Sequence, residues 1–166
     1  MNSQPQNIYD DSKLKEILNT LKNDKKNPFP LDYWDKEKKD PREWGALFIA
    51  PDDSIYHGGY FKVKIKFPNN YPSSKPKFFF RTKIYHVNIS SYSGEVCCTM
   101  PNTNRIRDYL DAVYLMFYFE NPDNDYNYGT LCKTNRSEYE KNVHDWVVKY
   151  ASIDTFENEK PCGFVD

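Results

Sequence analysis

Several signals are absent from this sequence of 166 residues, and each absence removes a class of function. No apolar run approaches the ~18 residues that a membrane-spanning helix needs. Positive and negative side chains nearly cancel, 23 against 24, so no overall field attracts nucleic acid or an anionic membrane. Residues 1–7 lack the basic and apolar regions of a secretory signal. We therefore expect a cytoplasmic or nuclear protein whose partners bind local patches.

A metal-binding pattern is missing as well. Cys97 and Cys98 are adjacent rather than spaced as Cys-x-x-Cys, and the three histidines are scattered along the chain. Four cysteines would suit two disulfides in a secreted protein, but nothing here points to secretion. We expect free thiols, no metal and no cofactor.

Apolar periodicity predicts an amphipathic helix followed by strands. Four apolar residues between positions 14 and 21 recur at helical spacing, which predicts a helix over residues about 12–25 with a lysine-rich opposite face. Residues 28–43, rich in proline and charge, are typical of a loop or hairpin tip. Residues 61–67 alternate apolar with lysine, which predicts a strand with one core face and one wet face. The aromatic run 78–80 predicts the next strand.

The second half of the chain is predicted to be helical. Residues about 106–119 have helical period and little polar relief, which predicts a largely buried helix. Residues 120–125 lead into a polar linker. Ser137 and Glu140 then form a capping box for a last helix. The carboxyl-terminal residues have no clear period, and we interpret 153–166 as a short tail.

Cys97 lies nine residues after Asn88, and the polar residues 90–94 between them favour a turn. A partly exposed cysteine acts as a nucleophile through its thiolate, whereas a buried one is an inert apolar side chain, and composition alone allows both interpretations. If the turn folds back, the Asn88 amide can donate to an oxyanion at a thioester carbonyl. The alternative for Asn88 is an asparagine that bonds its own turn. The spacing favours acyl transfer on a cysteine.

The segments His86-Val87-Asn88-Ile89 and Gly94-Glu95-Val96-Cys97 closely resemble the active-site signature of the ubiquitin-conjugating enzymes, His-Pro-Asn followed by Gly-x-Ile/Val-Cys. Further segments resemble that family in its order: residues 44–51, 56–61, 67–77, 82–86, 135–141 and 149–151. The resemblance covers roughly residues 10–152. It implies an α+β fold with an N-terminal helix, a four-stranded antiparallel meander sheet, an active-site loop and C-terminal helices. It also implies one catalytic domain over residues 1–152, followed by the tail 153–166.

The resemblance implies roles for the residues near the cysteine. Cys97 would carry ubiquitin as a thioester, and Asn88 would stabilise the oxyanion or order the active-site loop. His86 is interpreted as structural. An acidic residue across from the cysteine would position the attacking lysine; the register allows Asn124 or Asp125, and we predict Asp125.

The resemblance also implies partners. The charge pattern alone favours a solvated surface for Lys13 and Lys15. The family's basic first helix binds the activating enzyme, however, so the resemblance keeps a docking role open for these two lysines. Pro72 and Ser73 lie in the ligase-facing loop. The expected partners are therefore ubiquitin or a ubiquitin-like modifier, an activating enzyme, a ligase and a protein substrate.

Several residues depart from the family pattern. Val87 stands in place of the proline, and the loop from Asn88 to Cys97 is one residue longer than usual. Cys98 stands where leucine is common, and we interpret it as a packing residue. Residues 102–105 form a short segment without the family's tryptophan and Ser-Pro-Ala turn, and Ser73 stands where many members have a phenylalanine. These last changes leave the choice of ligase open.

Two other functions stay open on the sequence. Residues 71–74 and 135–141 are somewhat more similar to the SUMO-conjugating branch, although the acidic insertion of that branch is missing. The modifier is therefore ubiquitin or, as the second choice, SUMO or another ubiquitin-like protein. An inactive variant that scaffolds an active partner is the other alternative; Val87 and the short segment favour it, and the presence of Cys97 opposes it.

Overall fold

A four-stranded antiparallel sheet, in the order β1-β2-β3-β4, forms the centre of the computed structural model, which describes residues 7–123 and 128–158. The strands are β1 (Leu31–Tyr33), β2 (Glu43–Ile49), β3 (Tyr60–Lys66) and β4 (Lys77–Phe80). The helices are α1 (Asp11–Asn23), α2 (Ile106–Tyr114), α3 (Gly129–Thr134), α4 (Arg136–Trp146) and α5 (Ile153–Asn158). A short 3-10 helix (Leu115–Phe117) extends α2, and a π-helical turn (Val147–Ala151) follows α4. The α+β class and the meander are confirmed.

Helix α1 forms because a capping residue precedes an apolar stripe. The carboxylate of Asp10 accepts a hydrogen bond from the Lys13 N–H at 2.8 Å, which satisfies one of the free donors of the first turn. Leu14 and Leu18 are fully buried on the face that the spacing selects. The helix lies within one or two residues of the predicted range.

The inner face of the sheet carries the core. Large apolar side chains meet in cross-strand pairs, with Phe48 opposite Phe61 and Val63 opposite Phe80. Phe117, at the end of the 3-10 helix, packs against these rings, with its centroid 5.4 Å from that of Phe61. Buried aromatic clusters of this kind fix the distance between sheet and helix. The segment that follows Phe117 therefore starts from a rigid position.

The outer face of the sheet is less wet than predicted. Lys62 is only 7% exposed, and its ammonium lies 5.8 Å from the ring centroid of Phe156 in α5. Phe156 also stacks on Tyr60 of β3 at 5.6 Å. The region predicted as a short tail without a clear period therefore begins with a helix, α5, whose Phe156 packs on Tyr60 and Lys62 of β3. Lysine tolerates such cover because its aliphatic stem packs on apolar surface.

Three further boundaries differ from the sequence prediction. The predicted loop 28–43 contains β1, whose three residues are too few to show a period. The polar linker contains α3, a helix of 6 residues with weak apolar pattern. The last helix starts at Arg136, so the predicted capping box at Ser137 is wrong. Asn135 is the N-cap instead, because its side chain accepts from the Glu138 N–H at 3.2 Å and donates to the Glu138 carboxylate at 3.0 Å.

The helical segment 106–119 is also less buried than its pattern indicates. Ile106, Leu110 and Val113 face the core, but Leu115 is 48% exposed and Phe119 is 67% exposed. Apolar residues at the end of this segment thus form a surface. None of the helices in the described residues is long and apolar enough to cross a membrane.

Candidate active site

A β-hairpin brings Asn88 and Cys97 together. The Cys97 N–H donates to the Asn88 carbonyl at 2.8 Å, and Ile89 pairs with Val96 in an antiparallel bridge. The Ser90 N–H donates to the Glu95 carbonyl at 3.0 Å, one step nearer to the turn. The predicted fold-back of this loop is therefore present, with the two residues side by side at its base.

Gly94 anchors the hairpin to the sheet. Its φ of 74° is a left-handed conformation that side chains with a Cβ rarely adopt. A Cβ at this position would lie 2.0 Å from the Phe80 carbonyl oxygen, while the Phe80 N–H donates to the Gly94 carbonyl at 2.8 Å. The second limb of the hairpin, and with it Cys97, is thereby held directly against β4.

The side chain of Asn88 joins the hairpin to the segment after the 3-10 helix. Its amide nitrogen donates to the Asn121 carbonyl at 2.8 Å, and its amide oxygen accepts from the Asn121 N–H at 2.7 Å. Asn88 is 4% exposed, so water competes little for these bonds. We call this pair of hydrogen bonds the Asn88–Asn121 clasp.

His86 is a neutral ring that contacts the clasp through the backbone of Asn88. Its Nε2 lies 2.8 Å from the Met116 carbonyl, which can only accept, so Nε2 carries the proton. Its Nδ1 accepts from the Asn88 N–H at 3.0 Å. Burial lowers the pKa of His86, because a charged ring is disfavoured away from water, although the Met116 carbonyl and Glu120 partly oppose this shift. Both ring nitrogens of His86 are thus bonded to main-chain groups.

A shallow groove of about 250 Å³ opens beside Cys97. It is lined by residues of the hairpin base, the exposed end of the 106–119 segment and the clasp: Asn88, Cys97, Cys98, Thr99, Ala112, Leu115, Met116, Phe119, Glu120 and Asn121. Cys97 is half-buried in this groove. It is therefore neither a sealed core residue nor a fully solvated one, which is the setting that a nucleophilic thiol needs.

Cys98 differs from its neighbour. Its side chain packs against the core, and its sulfur lies 4.0 Å from that of Met100. Burial raises the pKa of the Cys98 thiol, and the adjacent Cys97 raises it further. Cys98 is thus held as a thiol, which reduces its reactivity.

Sequence reasoning missed Glu120 and its partner Arg136. The Glu120 side chain lines the groove and is 10% exposed. The Arg136 guanidinium binds it with two nitrogens, at 2.7 Å and 3.4 Å, and also contacts Glu140 at 2.9 Å. No local signal identifies this pair, since the two residues are 16 positions apart and belong to different elements.

Four of the predicted site residues, Lys13, Lys15, Pro72 and Ser73, are not among the residues that line the groove. Lys13 and Lys15 are exposed on α1, and Pro72 and Ser73 lie in the turn between β3 and β4. Asp125 and its alternative Asn124 lie outside the described residues. Within the described parts of the chain, no group of three His, Cys, Asp or Glu side chains is arranged to hold a metal ion.

Known proteins of one family are similar to this chain in sequence and in fold. The family model for ubiquitin-conjugating enzymes matches residues 13–147. A probable ubiquitin-conjugating enzyme E2 31 of Arabidopsis thaliana is 32% identical over 117 residues, which cover 66% of this chain and 75% of the plant protein. A putative ubiquitin conjugating enzyme of Plasmodium yoelii superposes with a TM-score of 0.75 at 25% identity, covering 92% of this chain and 99% of that one. A ubiquitin conjugating enzyme E2 domain of Toxoplasma gondii has the same fold, with a TM-score of 0.73 at 23% identity over 85% of this chain and 98% of that one. This chain belongs to the ubiquitin-conjugating enzyme family.

Proposed function

We propose that this protein accepts ubiquitin from an activating enzyme as a thioester on Cys97 and passes it to a substrate lysine or to a ligase. The observation that carries this proposal is the half-buried Cys97, bonded through its N–H to Asn88, at the wall of an open groove. Family membership supports the coarser activity of a ubiquitin-conjugating transferase.

The proposed reaction has two acyl transfers. The Cys97 thiolate attacks the carbonyl of ubiquitin's terminal thioester on the activating enzyme, and the activating enzyme's thiolate leaves. A lysine amine then attacks the Cys97 thioester, an amide bond forms, and the Cys97 thiolate leaves while the amine loses its proton to a base or to water. Covalent catalysis of this kind divides one difficult transfer into easier steps.

We assign Asn88 to the ordering of the loop. Both functional groups of its amide bond the backbone of Asn121, which supports this role over that of a dedicated oxyanion donor. Asp125 is the proposed residue for positioning the lysine, as the resemblance to the family implies.

The surfaces that we propose for partner binding contain side chains that are exposed on the protein. Lys13 and Lys15, exposed on α1, are proposed to bind the activating enzyme, and Pro72 and Ser73 to face the ligase. The exposed side chains of Leu115 and Phe119 flank the groove and are proposed to contact the modifier, because apolar side chains exposed together mark interaction sites.

A charging assay tests the proposal. The protein is incubated with ATP, an activating enzyme and ubiquitin, and in parallel with the SUMO counterparts, and is then run on a non-reducing gel. A thiol-sensitive adduct with ubiquitin that is lost in Cys97→Ala and kept in Cys98→Ala is the expected result.

Other results would replace the proposal. An adduct with SUMO or another ubiquitin-like protein alone would assign the chain to that modifier. If no adduct formed with any modifier while titration showed binding to ubiquitin or to a second conjugating enzyme, the chain would be an inactive scaffold.

A further inference from the structure

Val87 introduces a buried backbone donor at the position where the family signature has proline. Proline has no N–H, whereas valine brings one, and Val87 is fully buried. A buried N–H requires an acceptor, since water cannot reach it. The acceptor here is the hydroxyl oxygen of Tyr139 in α4, at 3.2 Å.

The Tyr139 hydroxyl is oriented by a second buried tyrosine. The Tyr56 hydroxyl donates to the Tyr85 carbonyl at 2.9 Å, so its proton is already in use. The hydroxyl oxygen of Tyr139 lies 3.5 Å from that of Tyr56. Because the Tyr56 proton is already used, Tyr139 is the donor in this pair. This direction leaves a lone pair of the Tyr139 oxygen towards the Val87 N–H. Burial raises the pKa of both hydroxyls above their usual value, so both remain protonated donors at neutral pH.

A second residue of α4, Arg136, binds Glu120, the neighbour of the other clasp residue, Asn121. Arg136 lies three residues before Tyr139, a spacing that places both side chains on one helix face. Its guanidinium lies 5.2 Å from the centroid of the Tyr139 ring and binds the carboxylate of Glu120 with two nitrogens. Glu120 directly precedes Asn121. One face of α4 thus contacts the residue next to each partner of the Asn88–Asn121 clasp.

We propose that Tyr139, supported by Arg136, is a positioning residue that compensates for the absent proline: its hydroxyl accepts the Val87 N–H and so sets Asn88, and through it Cys97, in the active geometry. The proposal rests on the proposed function where it concerns catalysis. Its structural core, the dependence of the clasp on α4, holds for the uncharged protein as well.

A double-mutant cycle tests the compensation. The variants are Tyr139→Phe, Val87→Pro and the double mutant, and the measured quantity is the rate at which purified Cys97 thioester discharges to free lysine in a single turnover. Tyr139→Phe leaves Val87 without an acceptor and is expected to slow discharge about tenfold, with little change in the extent of charging. In the Val87→Pro background, where no donor remains, the same substitution is expected to change the rate less than about twofold.

Tyr109→Phe is the matched control. Tyr109, like Tyr139, is a buried tyrosine. Its hydroxyl donates to the carbonyl of Thr103, which is not part of the clasp. It is expected to keep the wild-type discharge rate. Equal losses from Tyr139→Phe in both backgrounds, or no loss in the wild-type background, would overturn the compensation.

Amide hydrogen exchange on the uncharged protein gives a readout that does not require conjugating activity. Tyr139→Phe is expected to accelerate exchange at Val87 and Asn88 about tenfold, and Arg136→Met at Asn121, relative to Tyr109→Phe. Unchanged protection at these amides would overturn the proposal. If Val87→Pro does not fold, the exchange measurement alone decides the proposal. A failure of charging with every modifier would refute the proposed function but would leave the dependence of the clasp on α4 in place.

Discussion

Asn88 and Asn121 form a reciprocal pair in which one side-chain amide satisfies both the N–H and the carbonyl of one backbone residue. The two distances, 2.8 Å and 2.7 Å, are those of well-formed hydrogen bonds. The pair joins the hairpin that bears Cys97 to the segment after the 3-10 helix, 33 residues away in sequence. The geometry requires one donor and one acceptor on the same short side chain, which asparagine supplies.

We expect Asn88→Ala to lose both bonds. The unfolding free energy should fall by about 2 kcal/mol, at ~1 kcal/mol for each net hydrogen bond, and the same loss of loop order should slow discharge of the Cys97 thioester by roughly thirtyfold. Asn88→Asp keeps an acceptor but turns a second oxygen towards the Asn121 carbonyl, so it should be no more stable than Asn88→Ala. Urea unfolding and single-turnover discharge measure these effects. A wild-type unfolding free energy in Asn88→Asp would contradict the donor role of the amide.

The two adjacent thiols should differ in reactivity. Because burial and the neighbouring Cys97 raise the pKa of Cys98, less of its thiolate is present at pH 7.5, and iodoacetamide should modify Cys97 before Cys98. Mass spectrometry of timed samples measures the order of modification, and Cys98→Ala should leave the rate at Cys97 nearly unchanged. Modification of Cys98 before Cys97 would show that its packing does not protect it.

His86 should make stability depend on pH below about 7, where an unfolded histidine takes up a proton. Its pKa is lowered by burial in the folded state, while the unfolded chain takes up a proton near the usual 6.5. Below that pH the unfolded state binds more protons than the native state, so the unfolding free energy falls as the pH falls, by up to about 1.4 kcal/mol per pH unit. Urea unfolding at several pH values measures the slope. His86→Gln should flatten it, and equal slopes in the wild type and His86→Gln would refute the assignment.

The exposed apolar residues beside the groove should affect transfer and not folding. Phe119→Ser and Leu115→Ser should reduce the discharge rate about tenfold, equivalent to ~1.4 kcal/mol of lost contact with the modifier, and change the melting temperature little because both side chains are already exposed. Val148→Ser is the control, since Val148 is 57% exposed in the turn after α4 and does not line the groove. An equal loss in Val148→Ser would show that apolar exposure in general, rather than this surface, is responsible.

Local patterns predicted much of the secondary structure. Helical spacing located α1, and apolar alternation located β3, because burial on one face acts on each residue in register with its own backbone. The sequence did not predict the short elements β1 and α3, because three to six residues are too few to show a period. The predicted capping box at Ser137 was wrong because the helix starts earlier, with Asn135 as its N-cap. The Asn135 side chain bonds both the backbone N–H and the carboxylate of Glu138.

The sequence by itself determined the pairing of Asn88 with Cys97, because the two residues are nine positions apart and the turn-forming residues between them, Gly94 included, allow a local hairpin. It did not contain a readable sign that Tyr139 would accept from Val87, 52 residues away, or that Arg136 would bind Glu120. Those contacts exist because the packing of α4 against the core brings distant polar groups into places without water. There each buried donor must find a partner, and only the folded chain decides which partner is within reach.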